Sequence, residues 1–191
     1  MKEAIALLKQ DHKEVKEMLE EITGLGERAA KRRVELASEI ALALKAHMQI
    51  EEQIFYPAFK AAAAKKEDQK LYYEAVEEHH AADVVLQDVL KADASSLSFG
   101  GKVKVLKELI EHHVEEEEKT MFPHARKVMS KEELQALGIE MGDAKDAIMS
   151  GGLGKLMGKS GARTNGAKAG KAGKARAAKS KTSGRSRNAH A

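Results

Sequence analysis

The chain has 191 residues, enough for one domain with a sizeable core plus an extension, and 4% aromatic against 33% charged residues, which favours helix over sheet. It contains no cysteine, which excludes disulfides, thiolate metal sites, iron–sulfur ligation and cysteine nucleophiles. The net charge of +3 hides a segregation: residues 151–191 hold 11 Lys/Arg and no Asp or Glu, leaving 22 basic and 30 acidic residues in 1–150.

The chain opens directly into an amphipathic pattern with no apolar run for a signal peptide. No stretch approaches the ~18 apolar residues of a membrane helix, so a soluble, cytoplasmic protein is expected. Ile5, Leu8, Val15, Met18, Leu19 and Ile22 mark a first helix that ends near Gly24 and Gly26. A second, about 28–64, carries Val34, Leu36, Ile40, Leu44, Ile50 and Ile54, with a kink or break predicted near Tyr56 because Pro57 follows. A third runs from about Asp68 to Leu90, and Ser95–Gly101 reads as a loop. A fourth starts near Lys102 with Val105, Leu106, Leu109 and Ile110, and meets Pro123 near its end. Ser130 and Glu133 then form a capping box that opens a short fifth helix through Leu134, Leu137 and Met141. The expected fold is all-α: an up-down-up-down four-helix bundle over 1–129, a short accessory helix over 130–150 and a tail over 151–191. The tail is Gly, Ala, Lys, Ser and Arg, and is expected to be disordered because it has little apolar surface to bury.

An internal repeat carries the chemistry. His47-Met48-Gln49-Ile50-Glu51-Glu52 and His113-Val114-Glu115-Glu116-Glu117-Glu118 both fit His-x3-Glu-Glu, and both reach an aromatic–proline pair, at Tyr56-Pro57 and Phe122-Pro123. These are the two prolines of the chain. Upstream, Asp11-His12 and Glu78-His79 are followed by apolar residues at the same offsets. The body is therefore two copies of a helix pair.

Positions i and i+4 lie about 40° apart on a helix, so His47 and Glu51 share one stripe, as do His113 and Glu117. Leu44 and Ile54, and Leu106, Leu109, Ile110 and Met121, turn those stripes toward the core. His12 lies between Leu8 and Val15, and His79 fits its own stripe likewise. Four imidazoles and two carboxylates then converge inside an apolar bundle. Burying two carboxylates uncompensated costs several kcal/mol each, and a pair of divalent ions is the economical compensator. Nitrogen and oxygen donors without sulfur suit Fe, Mn, Zn or Co, and six ligands exceed one tetrahedral zinc. The set divides naturally into terminal histidines with Glu51 and Glu117 bridging. His-then-Glu order differs from the Glu-x-x-His of ferritin-like di-iron bundles.

At these residues, over about 1–129, the chain resembles the hemerythrin-like (HHE cation-binding) family. The resemblance implies a four-helix bundle around two non-haem iron ions, oxo- or hydroxo-bridged, with zinc or manganese as other occupants. Carried over by position, the metal ligands are His12, His47, Glu51, His79, His113 and Glu117. It implies a protein that binds, senses or reacts with O2, NO or peroxide, with redox turnover left open. The oxygen-carrying members have His-x3-His on the third helix; Ala75 stands at the earlier position here. They also place an Asp five residues after the fourth-helix histidine, where this chain has Glu117 at four. The missing ligand argues against reversible O2 transport and for redox chemistry. His80 and Asp83 are the other sources for it, and His79 is preferred because His80 sits one heptad from polar Gln87. His112 shares a stripe with Glu108, Glu116 and Lys119 and reads as a surface residue; His124 and His190 have no such support.

Two other functions are compatible with the sequence. In one, the 151–191 extension contacts DNA or RNA nonspecifically through its cations while the metal site is only structural. In the other, weaker one, the bundle stores or buffers iron. The chain is expected to be a monomer with no membrane partner.

Overall fold

The computed structural model describes residues 2–63 and 65–160. The apolar stripe of Ile5, Leu8, Val15, Leu19 and Ile22 becomes the buried face of α1 (Ala4–Gly24). A single tight turn at Glu27–Ala29 leads into α2 (Ala30–Ile50). After α3 (Tyr56–Ala62) come α4 (Lys66–Lys91) and α5 (Leu97–Glu116), then α6 (Phe122–Val128) and α7 (Lys131–Ser160). α1 lies against α2 and α5, and α4 against both α2 and α5, closing a four-helix ring. Short connections at 25–29 and 92–96 make these neighbours antiparallel.

The core divides in two. Leu19, Leu36, Ile40, Leu86, Phe99 and Leu106 fill one end. Ile5, Leu8, Phe55, Tyr56, Phe59 and Phe122 fill the other, joined by Met141 of α7. Between them lies a layer of buried polar side chains, all from the duplicated motifs.

Four sequence expectations are adjusted. Pro57 does not break the chain. A π turn at Glu51–Phe55 continues the helix, with the Tyr56 N–H bonding the Glu51 carbonyl, and Glu117–Met121 repeats it with Phe122 and Glu117. The wider turn lets a proline enter the helix, and it takes up one extra residue. The apolar stripe slips accordingly: Phe55 and Phe59 are fully buried, whereas Ile54 is half-buried. Second, Leu97–Gly101 is helical, because the Ser96 hydroxyl caps the Phe99 N–H and Phe99 is buried. That anchor outweighs Gly100 and Gly101. Third, three stripe residues turn away from the core: Val34 on α2 and Val105 on α5 are exposed, and Leu109 is half-buried beside buried Leu106 and Ile110.

The fourth adjustment is the accessory helix. Ser130 and Glu133 do form the capping box, with the Ser130 N–H donating to Glu133 at 2.7 Å and the Glu133 N–H to the serine oxygen at 3.2 Å. The helix they open is 30 residues long and runs to Ser160, past the 150 boundary. α7 lies across α1 and α2. Gly138 permits this contact: a Cβ there would meet the Lys2 carbonyl oxygen and stand 2.7 Å from the Ala4 nitrogen. The expected disordered tail lies, from 161 onward, outside the described residues. Among the described residues no helix is long and apolar enough to cross a membrane.

Candidate metal centre

The six predicted residues meet in the polar layer, and all are buried. α1 brings His12, α2 brings His47, α4 brings His79 and α5 brings His113. The two π turns start at Glu51 and Glu117, so each wide turn presents its first carboxylate inward. Glu51 Oε2 lies 3.2 Å from His47 Nε2 and 3.3 Å from His79 Nε2. Glu117 Oε2 lies 3.1 Å from His12 Nε2 and 3.6 Å from His113 Nε2. Each carboxylate thus touches one imidazole from each half of the repeat. Two ligand groupings result, His12–His47–Glu51–Glu117 and Glu51–His79–His113, with donor atoms in each within 4.8 Å of one another.

Three of the four outer imidazole nitrogens bond a further carboxylate, and the fourth, on His47, faces one at longer range. His12 Nδ1 meets Glu118 at 2.9 Å and His79 Nδ1 meets Glu52 at 2.9 Å. His113 Nδ1 meets Glu78 at 2.8 Å, and His47 Nδ1 lies 3.5 Å from Asp11. An acid on Nδ1 leaves Nε2 as the free donor pair aimed inward, the arrangement that metal-binding histidines use. Tyr56 adds a hydroxyl that donates to Glu117 Oε1 at 3.0 Å, and its ring stacks on His79. Its counterpart Phe122 stacks on His12 and has no hydroxyl.

The polar atoms at the middle are not satisfied by protein. Both oxygens of Glu51, Oε2 of Glu117, both ring nitrogens of His47, Nε2 of His12 and Oδ2 of Asp11 are buried without a hydrogen-bond partner. Burial pushes Glu51 well above the usual carboxylate range, and the Glu117 charge adds to it. Burial would raise Glu117 too, but the contact with His12 and the charge of His113 outweigh it and hold the group low. Burial drives His47 down to about 4. His12 and His113 are raised, because Glu117 and Glu78 respectively overcome their desolvation. Unsatisfied donors and mismatched charges of this kind are what a pair of cations would relieve. The donor set, imidazole nitrogen and carboxylate oxygen, fits first-row metals.

Beside this layer is a cavity of about 10 Å³, lined by the four histidines and by Val15, Leu44, Met48, Ile110 and Val114. That is room for one water-sized guest. Its walls are otherwise apolar.

His80 and Asp83 do not join the site: both are exposed, and Asp83 accepts from Gln87. Ala75, at the position of the missing histidine, is buried in the core. His124 pairs with buried Asp68 at 3.3 Å, and His190 lies outside the described residues. The sequence reading gave no role to Asp11, Glu52, Glu78, Glu118 or Tyr56. The signal for the acids was present: an acid precedes each first-helix histidine, and a second glutamate follows each His-x3-Glu.

Comparison with known proteins agrees with this geometry. The chain matches the family model described as Hemerythrin HHE cation binding domain over residues 3–125. The crystal structure of a hemerythrin HHE cation binding domain-containing protein from Mycobacterium kansasii is similar at a TM-score of 0.72 and 28% identity, covering 83% of this chain and 94% of that one. No curated protein sequence matches. With fold, duplicated histidine–glutamate motif and matched span in accord, the chain belongs to the hemerythrin family of HHE cation-binding domains.

Proposed function

We propose that this protein holds two iron ions in the buried layer and binds or reacts with O2, NO or peroxide there. His12, His47, His79 and His113 would be the terminal ligands, and Glu51 and Glu117 would be shared between the ions. The observation that carries this reading is the set of partnerless buried atoms on Glu51, Glu117, His12 and His47. Such atoms are rare in folded proteins unless something else satisfies them. When bound, a pair of irons supplies one- and two-electron chemistry toward small oxidants. The chain's own part is to hold donors rigidly, to orient the imidazoles through Asp11, Glu52, Glu78 and Glu118, and to keep water out with Leu44, Ile110 and Val114. Tyr56 holds a proton on Oη toward Glu117. The small cavity beside the layer has room for one water-sized guest, which favours the smallest oxidants over larger substrates.

The test is reconstitution with Fe(II) under argon, followed by separate exposure to O2, NO and peroxide. Two irons per chain and a new visible band with at least one of the three are expected. A colourless protein that retains a single zinc would contradict the reading.

A second proposal concerns the extension. Its 11 Lys/Arg without a single acid, set against an acidic body, favour nonspecific contact with nucleic acid. Removal of residues 151–191 should then abolish a gel shift seen with the full chain at low salt. A shift that persists after removal contradicts this second proposal.

A further inference from the structure

The groove between α4 and α5 is the counterpart of the one that α7 covers between α1 and α2. Leu7 and Ile50 pack in one cluster with Met141 of α7, and Ala46 is fully buried. Their counterparts in the repeat are Glu74, His112 and Glu116, and here the groove is an open cleft of about 790 Å³. The outward carboxylate also differs in what it meets. Asp11 directs Oδ2 to His47 and Oδ1 to the Lys145 ammonium of α7 at 2.5 Å. Glu78 directs Oε2 to His113 at 2.8 Å, but its Oε1 faces His112 Nε2 at 3.4 Å. That nitrogen is also 3.4 Å from Glu116 Oε1. Among the described residues no ammonium bonds Glu78, and the nearby Lys70 is paired with Glu74 at 2.9 Å.

We propose that Glu78, His112 and Glu116 form a surface site for one divalent first-row cation, which takes the place that the Lys145 ammonium holds in the other half. The three donor atoms already lie within 4.8 Å of one another. Donors bound at ~2.1 Å to one ion sit about 3–4 Å apart. His112 and Glu116, with side chains 64% and 44% exposed, rotate freely enough to close that gap. They lie one turn apart on one helix face, and Glu78 supplies the third donor from the neighbouring helix. One imidazole and two carboxylates suit Mn, Fe, Co or Zn, and the doubly charged ion balances the two acids. Water completes the sphere from the open cleft. Because Glu78 keeps its other oxygen on His113, the outer ion sits one carboxylate away from the buried layer. The sequence reading of His112 as a surface residue holds for its exposure and missed its partner on α4.

The test titrates the iron-loaded full chain with Mn(II), reading free Mn(II) by electron paramagnetic resonance. Manganese is weakest in the Irving–Williams order and leaves the buried ions in place. Wild type should take up one Mn(II) per chain. His112→Ala and Glu116→Gln should weaken that uptake at least ~10-fold. His80→Ala, an exposed histidine elsewhere on α4, should match wild type. Equal isotherms for wild type, His112→Ala and Glu116→Gln would overturn the proposal, as would wild type taking up none. Iron content in the same samples reads the buried centre separately, so failure of one site is not mistaken for failure of the other.

Discussion

In the first half of the bundle, Asp11 reaches from buried His47 out to Lys145 of α7; in the second, Glu78 reaches from His113 out to His112 and an open groove. Inward of those two carboxylates the halves are nearly the same. Each supplies two imidazoles, a π-turn glutamate and a second glutamate that orients a histidine of the other half. Outward they diverge into an apolar seat and a charged cleft. The contrast separates two kinds of constraint. Buried donors must all be matched at once, since one unmatched charge in the interior is very costly, whereas a rim position tolerates either a covering helix or water.

The largest expected effect that breaks the contrast comes from Gly138, where α7 approaches the start of α1. Gly138→Ala drives a methyl into the Lys2 and Ala4 backbone and should cost about 1–3 kcal/mol, read as a lower Tm. No equivalent close approach exists in the second half among the described residues. An unchanged Tm would mean that α7 is not seated as described.

Next come the two outward acids. Asp11→Asn and Glu78→Gln should each weaken metal affinity about 10–100-fold, because each orients one histidine. Equilibrium competition with a chelator measures this. The two differ in that Glu78→Gln also removes the outer Mn(II) uptake, whereas Asp11→Asn leaves it.

A smaller effect sharpens the comparison at the aromatic before each proline. Tyr56→Phe makes the first half copy the second and leaves Glu117 Oε1 without its donor. A loss of about 1 kcal/mol in the metal-free protein is expected by chemical denaturation.

The smallest is a matter of protons. Glu51 lies well above its ordinary range in the metal-free state, so it holds a proton that a cation must expel. His12 and His113 are also raised and add to the effect. Metal uptake at neutral pH should therefore release protons, and affinity should rise with pH. A pH-stat titration with no base consumption would contradict this assignment.

Much of this was legible because the motif occurs twice. A lone histidine on an apolar stripe says little, but His12, His47, His79 and His113 at matched offsets from matched acids place all four on one layer. The helices followed from the same stripes. What stayed hidden depends on three-dimensional pairing. A π turn leaves no mark in hydrophobic spacing beyond the proline that follows it, so Ile54 looked inward when Phe55 is the buried residue. Loop-like Leu97–Gly101 became helix through one serine cap. The seat of α7 required knowing that Gly138 would meet the first residues of the chain, over a hundred positions away. The role of His112 likewise depends on a partner from another helix.

The central claim is that donors from both halves hold the cations together. Iron content after Fe(II) reconstitution, compared among wild type, His47→Ala and His113→Ala, tests it most directly. Two irons per chain in wild type, falling to one or fewer in both variants with a lower Tm for the loaded protein, is the predicted result. Full iron content and an unshifted Tm in either variant would contradict it.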